Sequence, residues 1–462
     1  MSAHFKAVDR ETLYLFPPSV EDWLPEQHLA RFVVDVVSKL DLHKLKMPYT
    51  GVGSEAFNPE MLLALLFYGY ATGVFSSRKL EQATHDSIAF RYIAANTHPD
   101  HDTLATFRKR FLPELQPLFV QILLLAKTLG FLKMGKISLD GSKIEANASK
   151  HSALSWGHAL ELEQQLKEEV ARLMAMAEAA DMTEVVDAMD IPAELARRDQ
   201  RLKAIGAAKA QLEARAAERH AAEQAAYEAK KTEREAKAQE TGRPPRGPEP
   251  KPPQPGVRDS DQINLTDQES RIMPASGQSF RQAYNVQAGV ETESLLIVTQ
   301  HVTQNSNDKR EVEPTLKALE PLAETLGQAE ALLADNGYYS EDNVNACQGE
   351  KLKITPYIAA GPERHHLPLE QRWVDLPPLA AEADAVETMK HRLKTREGRA
   401  IYGRRKCTVE PVFGIIKSVL GFRQFHLRGL QAVWGEWTLV SMAWNLKRMF
   451  ALQQRKLRTQ TA

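Results

Sequence analysis

Between residues 159 and 237 the sequence turns to alanine, glutamate, lysine, arginine and glutamine, and residues 242–256 then carry seven prolines. A compact core cannot be threaded through such a stretch. Leu162, Leu166, Val170 and Leu173 keep heptad-like spacing, and Leu202, Ile205, Leu212 and Ala216 do so again. The pattern breaks around Ile191-Pro192, so two helices folding back on each other are expected. The proline run forms neither helix nor core and reads as a linker. Residues 151–258 are therefore an inserted, coiled-coil-like helical arm. Any sheet the chain builds must be assembled from strands on both sides of it.

At 462 residues the chain exceeds one ordinary core. Cys347 and Cys407 cannot make a disulfide framework, and no Cys-x-x-Cys pair points to zinc. This cysteine usage fits a reducing cytoplasm, and the first ten residues show no apolar signal core. The most apolar runs, near residues 61–70 and 118–129, fall short of the roughly 20 residues needed to span a bilayer, and no membrane partner is expected. The net charge of −1 hides an asymmetry. From Arg399 onward there are 12 lysines and arginines against only Glu410 and Glu436, which makes the C-terminal region a candidate for binding anions.

Residues 1–130 read as helical. Pro59 opens a nearly all-apolar helix, Ser77 is placed to cap a second, and Asp102 to cap a third that bears Arg108, Lys109 and Arg110. Short helices with a basic late member fit a helix-turn-helix arrangement or a plain bundle. The run from His98 to Asp102 lacks a usual metal-ligand spacing.

Strand character begins at Lys136-Ile-Ser-Leu-Asp140, which reads as a short strand ending on an acid. It resumes after the arm over residues 263–273. A hairpin follows, with an alternating strand at 284–290, a turn at 291–294 and a wholly buried strand at 295–302. A helix is expected over 308–326. A buried strand then ends on Asp335, a helix is capped by Ser340, and a last strand covers 353–358. Residues 361–385 are irregular and the remainder is helical and basic. This order predicts an α/β fold, a mixed sheet with helices on its faces.

Asp140 and Asp335 each precede a glycine by one or two residues, where an aspartate most often simply forms a turn. Glu410 stands among basic residues, with Lys417 seven positions on, a spacing that an α-helix would place on one face. By itself Glu410 reads as half of a surface ion pair. Taken together, the three acids suit another demand. Two divalent ions about 3.5–4 Å apart can clamp the attacking and leaving oxygens of a phosphodiester, and magnesium needs only a few carboxylates to hold it. Pro411 requires the helix around Glu410 to start near Val409 or to kink there. Arg423 and Arg428, which follow this segment, are candidates for holding phosphate. Trp434, Trp437 and Trp444 lie at helical spacing and read as core.

The segments Leu139-Asp140-Gly141-Ser142-Lys143, Ala334-Asp335-Asn336-Gly337-Tyr338 and Tyr402…Arg405…Val409-Glu410-Pro411-Val412-Phe413-Gly414…Lys417 resemble the DDE transposases of bacterial insertion sequences. Thr266-Asp267…Ser270-Arg271, Tyr284-Asn285-Val286-Gln287, Arg428-Gly429-Leu430 and Glu436-Trp437…Asn445-Leu446 extend the resemblance. Asp100-His101-Asp102-Thr103 with Phe107-Arg108 extends it into the helical N-terminal part. The resemblance implies a ribonuclease H-like catalytic domain over 131–150 and 259–462, behind a helical DNA-binding domain over 1–130. It also implies two Mg²⁺ ions (Mn²⁺ substituting), with Asp140, Asp335 and Glu410 as the catalytic, metal-binding triad. Tyr402, Arg405 and Lys417 would belong to the signature around the third acid and hold DNA phosphate, with Arg404 an alternative to Arg405. The implied activity is strand cleavage and strand transfer at terminal inverted repeats. The implied partners are double-stranded element ends and target DNA, with a homodimer in the DNA complex that is nucleoid-associated when acting. Two other readings are a transposase-derived DNA-binding protein without chemistry and an interaction scaffold built on the arm.

Overall fold

The computed structural model describes residues 19–49, 55–149, 152–180, 190–241, 248–274, 279–349, 351–361, 376, 378–379 and 382–461. Its strands are β1 (Lys136–Glu145), β2 (Ala153–Ser155), β3 (Gln262–Asn264), β4 (Arg271–Pro274), β5 (Phe280–Glu291), β6 (Ile297–Thr303), β7 (Ala331–Ala334) and β8 (Thr355–Ile358). The helices before β1 are α1 (Leu29–Ser38), α2 (His43–Lys46), α3 (Pro59–Thr72), α4 (Ser77–Asp86), α5 (Ile88–Ile93), α6 (His101–Arg110) and α7 (Leu115–Thr128). Then come α8 (Trp156–Ala180), α9 (Ile191–Thr241), α10 (Val312–Leu326), α11 (Glu341–Cys347), α12 (Ala385–Lys394), α13 (Arg396–Gly403), α14 (Val409–Gly414) and α15 (Leu430–Thr461). The chain divides into two compact units, Met1–Ile144 with Asn285–Ala462, and Glu145–Tyr284. None of the described helices is long and apolar enough to cross a membrane.

In the first unit β6 pairs with β5, and β1, β7 and β8 follow in that order. β5 and β6 are antiparallel, whereas β1–β7 and β7–β8 are parallel, so the sheet is mixed, as expected. The strand over 284–290 was expected to be exposed on one face, yet β5 is buried from Gln282 to Glu291. Its polar residues tolerate burial because they are bonded: the Gln287 carbonyl accepts from Trp437 Nε1 at 3.1 Å, and its side chain accepts from the Tyr338 hydroxyl. Asn445 of α15 brackets the start of β6, accepting from Ile297 N and donating to Ile297 O, both at 2.8 Å.

The N-terminal helices pack into this same unit. Asn58 caps α3, accepting from Glu60 N at 2.8 Å, Pro59 fills the first helical position, and Gly73 ends the helix at φ 85°. α3 is buried from Leu62 to Ala71 and packs on α15. The cap of α6 is Asp100 and not Asp102, with Oδ1 accepting from Thr103 N at 2.6 Å. Ser76, not Ser77, stands before α4, and it makes no side-chain capping bond. Arg108, expected on an exposed basic face, is 8% exposed and donates to Tyr70 Oη at 3.0 Å and Phe75 O at 3.1 Å. The helix expected from 308 starts at Val312. Side chains fasten the preceding loop: Glu311 accepts from Asn305 Nδ2 at 2.8 Å and lies 2.9 Å from His301 Nε2.

In the second unit α8 and α9 run antiparallel, as the pairs Glu169–Arg198 (2.8 Å) and Glu163–Lys209 (2.6 Å) require. Leu166, Ile205, Ala208 and Leu212 close on Leu154 of β2 and Ile263 of β3. Among the described residues of α9, none beyond Ala216 is buried. The strand expected over 263–273 is two short ones. Asn264 Oδ1 accepts from Thr266 N at 2.9 Å and bends the chain between them. Residues 181–189, between the arm helices, and 242–247 of the proline linker lie outside the described residues, as does most of the irregular stretch at 361–385.

Candidate active site

The register of β1 on β7 pairs Ile137 with Leu332 and Ser138 with Leu333. Two residues further on, Asp140 and Asp335 are level with each other on strand lines about 4.8 Å apart. Asp140 is not at a strand end, as expected from sequence, because β1 continues to Glu145. Gly141 is needed for close approach and not for a turn: a Cβ there would overlap the Gln287 amide and the Asp308 carboxylate. Asp335 does cap a turn, with Oδ1 accepting from Gly337 N at 2.8 Å.

Glu410 lies in the first turn of α14, which begins at Val409 and so accommodates Pro411. Arg405 ties it to the strands. Its guanidinium lies 3.0 Å from Glu410 Oε1 and 3.5 Å from Asp140 Oδ2, with its side chain 12% exposed. The ion-pair reading of Glu410 is therefore correct as far as it goes, and the same arginine reaches the strand acid. A π-helical turn, Ile415–Val419, follows α14, so Glu410 and Lys417 do not share one regular α-helical face. Lys417 still faces β1, with Nζ 3.0 Å from Ser142 Oγ.

A fourth acid escaped the sequence reading. Asp308, in the loop after β6, accepts from Asn285 Nδ2 and Gln287 Nε2, both at 2.7 Å, and stands 3.7 Å from Lys143 Nζ. The signal that could have exposed it is Asn285-Val286-Gln287, two amides on one strand face with nothing polar on the sequence-predicted strand to satisfy them. Burial, then the charge of Asp335, pushes the Asp140 carboxyl up to about 6. The Gly141 amide and Arg405 oppose the shift, and Asp308 adds to it. The hydroxyl of Tyr338, buried beside the same acids, is held well above its ordinary range by burial and then by Asp308.

Among the described residues, no group of three or more His, Cys, Asp or Glu is gathered closely enough to hold a metal ion. Asp140 and Asp335 nevertheless fit a hard divalent cation in kind. Both offer carboxylate oxygen, and their mutual repulsion is the kind that a bound cation relieves. Glu410 is held apart from them by the intervening guanidinium.

The other sequence candidates are spread out. Arg404 is ion-paired with Glu293. Arg423 is exposed, its Nε donating to Lys417 O at 2.9 Å, and Arg428 is exposed. Tyr402 is half-buried near Arg405. Trp437 and Trp444 are core, as expected, but Trp434 is 42% exposed, because it lies on the outer side of α15.

Two family matches bear on this site. The transposase DDE domain matches residues 250–446, and a second transposase domain matches residues 18–110. The DDE match takes in Asp335 and Glu410 and begins after Asp140, which precedes the arm. No curated protein and no solved structure matches the chain. The chain belongs to the DDE transposases of insertion sequences. Membership implies a ribonuclease H-like fold for the mixed sheet, an enzyme of the nuclease or transposase type, DNA as partner and the use of divalent metal ions.

Proposed function

We propose that this transposase cleaves DNA strands at the terminal inverted repeats of its element and joins them to target DNA, with Asp140, Asp335 and Glu410 at the reacting centre. The observation that carries this reading is the level placement of Asp140 and Asp335 on adjacent parallel strands, with Glu410 linked to Asp140 through Arg405. Mg²⁺, when bound, polarises the phosphodiester and lowers the pKa of the attacking water or hydroxyl. Asp140 and Asp335 would hold it, and Glu410 would join them as Arg405 turns to DNA phosphate.

The chain's own residues do the positioning. Arg405 is a planar fork suited to a bridging grip on two anionic oxygens, whether of carboxylates or of phosphate. Lys417 and Ser142 flank Asp140 and would orient the strand being cut. Arg423 and Arg428, exposed beyond the π turn, and Tyr402 and Arg404 before it, would carry the duplex along this face. The protein would act as a homodimer on two element ends, in the cytoplasm at the nucleoid, with residues 1–130 contributing to end recognition.

The test is a supercoiled plasmid bearing the element ends, incubated with Mg²⁺ and with the Asp140→Asn, Asp335→Asn or Glu410→Gln variant. Each substitution is expected to lower nicking by about 10²–10³-fold, the range of losing one main electrostatic contributor to the transition state, while end binding persists. Full nicking by any of the three would remove that residue from the centre. End binding by the wild-type chain with no cleavage in Mg²⁺ or Mn²⁺ would select the inactive DNA-binding reading.

A further inference from the structure

A cavity of about 600 Å³ opens at the other end of the same strands, where β1 and β7 begin. Its walls come from residues 130–136, the β5–β6 turn, Glu330 and the last turns of α15. The acids on its walls are already engaged. Glu291 is buried and accepts from Glu293 N at 3.1 Å and from Ser294 N and Oγ, both at 2.7 Å. Glu293 is paired with Arg404, and Glu330 lies 3.9 Å from Lys136.

Three cations remain. Lys133, Arg455 and Lys456 line the cavity, are exposed, and make no ion pair with a described residue. Two turns back on α15, Arg448 donates from Nε to Ser294 O at 2.7 Å. Burial, and then the neighbouring charge of Arg455, holds the Arg448 guanidinium below its ordinary range. Thr292 Oγ1, on the same turn, is buried without a hydrogen-bond partner among the described residues. Crowded cations, engaged acids and an unsatisfied hydroxyl describe a site built for an oxyanion. The cavity far exceeds a free phosphate in size, so the anion arrives as part of something larger.

We propose that this cavity seats backbone phosphates of duplex DNA, on a track separate from the strand held at Asp140 and Asp335. The proposal rests on the reading that the chain acts on DNA, and it assigns to Lys133, Arg455 and Lys456 a grip that carries no base specificity. Such a track suits a second duplex, since joining an element end to a target requires both to be held.

The test uses the full chain carrying Lys133→Ala, Arg455→Ala and Lys456→Ala together, and a companion with Lys133→Arg, Arg455→Lys and Lys456→Arg. Affinity for a duplex lacking the element ends is measured over a series of salt concentrations. The alanine variant is expected to bind more weakly, with the slope of log K against log salt reduced by about 1–3, at about 0.9 for each phosphate lost. The charge-preserving companion should keep the wild-type slope. An unchanged slope in the alanine variant, or an equal loss in the companion, overturns the proposal. Thermal stabilisation of wild type but not of the alanine variant by inorganic phosphate or ATP, with duplex affinity unaltered, overturns it in favour of a free phosphate ligand. Failure of the wild-type chain to cleave end-bearing plasmid would instead count against the proposed function and leave the salt slopes to be judged by themselves.

Discussion

At the scale of single residues, the site is governed by how little room there is around Asp140. Gly141 has the Gln287 amide and the Asp308 carboxylate where a Cβ would go. Gly141→Ala must therefore push β5 or the Asp308 loop aside, and overpacking of this kind costs about 1–3 kcal/mol. A lowered melting temperature together with lost plasmid nicking is the expected result. A variant with wild-type melting and nicking would show that the approach is looser than drawn. Asp140, Asp335 and Glu410 came forward as a set only through the family resemblance, because each acid alone reads as a turn former or as half of an ion pair. The sequence left Asp308 hidden, because that residue matters only through Asn285 and Gln287, which come close to it only once β5 and the loop after β6 have folded. Arg405 was left interchangeable with Arg404 for the same reason. Side chains one residue apart reach different partners, Glu293 for one and Asp140 with Glu410 for the other.

At the scale of elements, periodicity proved a good guide wherever a helix or hairpin is stabilised by its own neighbours. The hairpin of β5 and β6, the Ser340-capped α11 and the two arm helices are local in this sense. The expectations that failed involve longer reach. β1 runs on past Asp140 because β5 continues beside it after β7 has ended, and Arg108 turned inward because Tyr70 and Phe75 offered it oxygens. The arm itself splits in two. Up to Ala216, α9 is anchored by Ile205, Ala208 and Leu212, whereas the described residues from 220 onward bury no side chain and are held by exposed pairs such as Glu223–Arg258 at 3.4 Å and Glu233–Lys237. Most helical stability in proteins comes from packing of a buried face, which this segment lacks among its described residues. Hydrogen exchange measured by mass spectrometry should therefore show residues 220–239 exchanging orders of magnitude faster than residues 200–216. Equal protection along α9 would mean that the outer half is held by another surface. Ile205→Ala should loosen the anchored half, at a cost of about 2–5 kcal/mol to the arm.

At the scale of the whole molecule, the first unit is fastened by a buried polar knot between its N-terminal helices and α15. Glu436 is fully buried and accepts from Tyr70 Oη, His426 N and Leu427 N, all at 3.0 Å, while Arg108 holds Tyr70. Burial alone would raise the Glu436 carboxyl, but His426, Arg108 and the Leu427 amide outweigh it and hold the group below the usual glutamate range. A carboxylate lowered in the folded state adds stability at pH values above its unfolded pKa of about 4.3, and that stability is lost as pH falls through the folded value. Acid unfolding of the wild type should therefore steepen below about pH 4. Glu436→Ala should lose about 3–5 kcal/mol near neutral pH, since it leaves Arg108 buried without its counter-charge, and should show a flatter acid limb. Denaturant titrations at about pH 7 and about pH 3 decide it; an unchanged acid limb in the variant would move the effect elsewhere. Glu436 was visible in the sequence as part of the family resemblance, but its part in joining the N-terminal helices to α15 depends on Tyr70, 366 positions away.

The parallel pairing of β1 with β7 has a consequence in time. During synthesis Asp140 leaves the ribosome about 195 residues ahead of Asp335, an interval of roughly 10–40 s at the usual 5–20 residues per second. Throughout it β1 has no β7 to pair with, whereas α8 and α9 can close on each other as soon as both are made. The two aspartates become neighbours only after the arm and the hairpin are complete, and Glu410 arrives later still. On the proposed function, a nascent or prematurely terminated chain would carry no assembled set of acids and could not cut DNA until almost all of it exists.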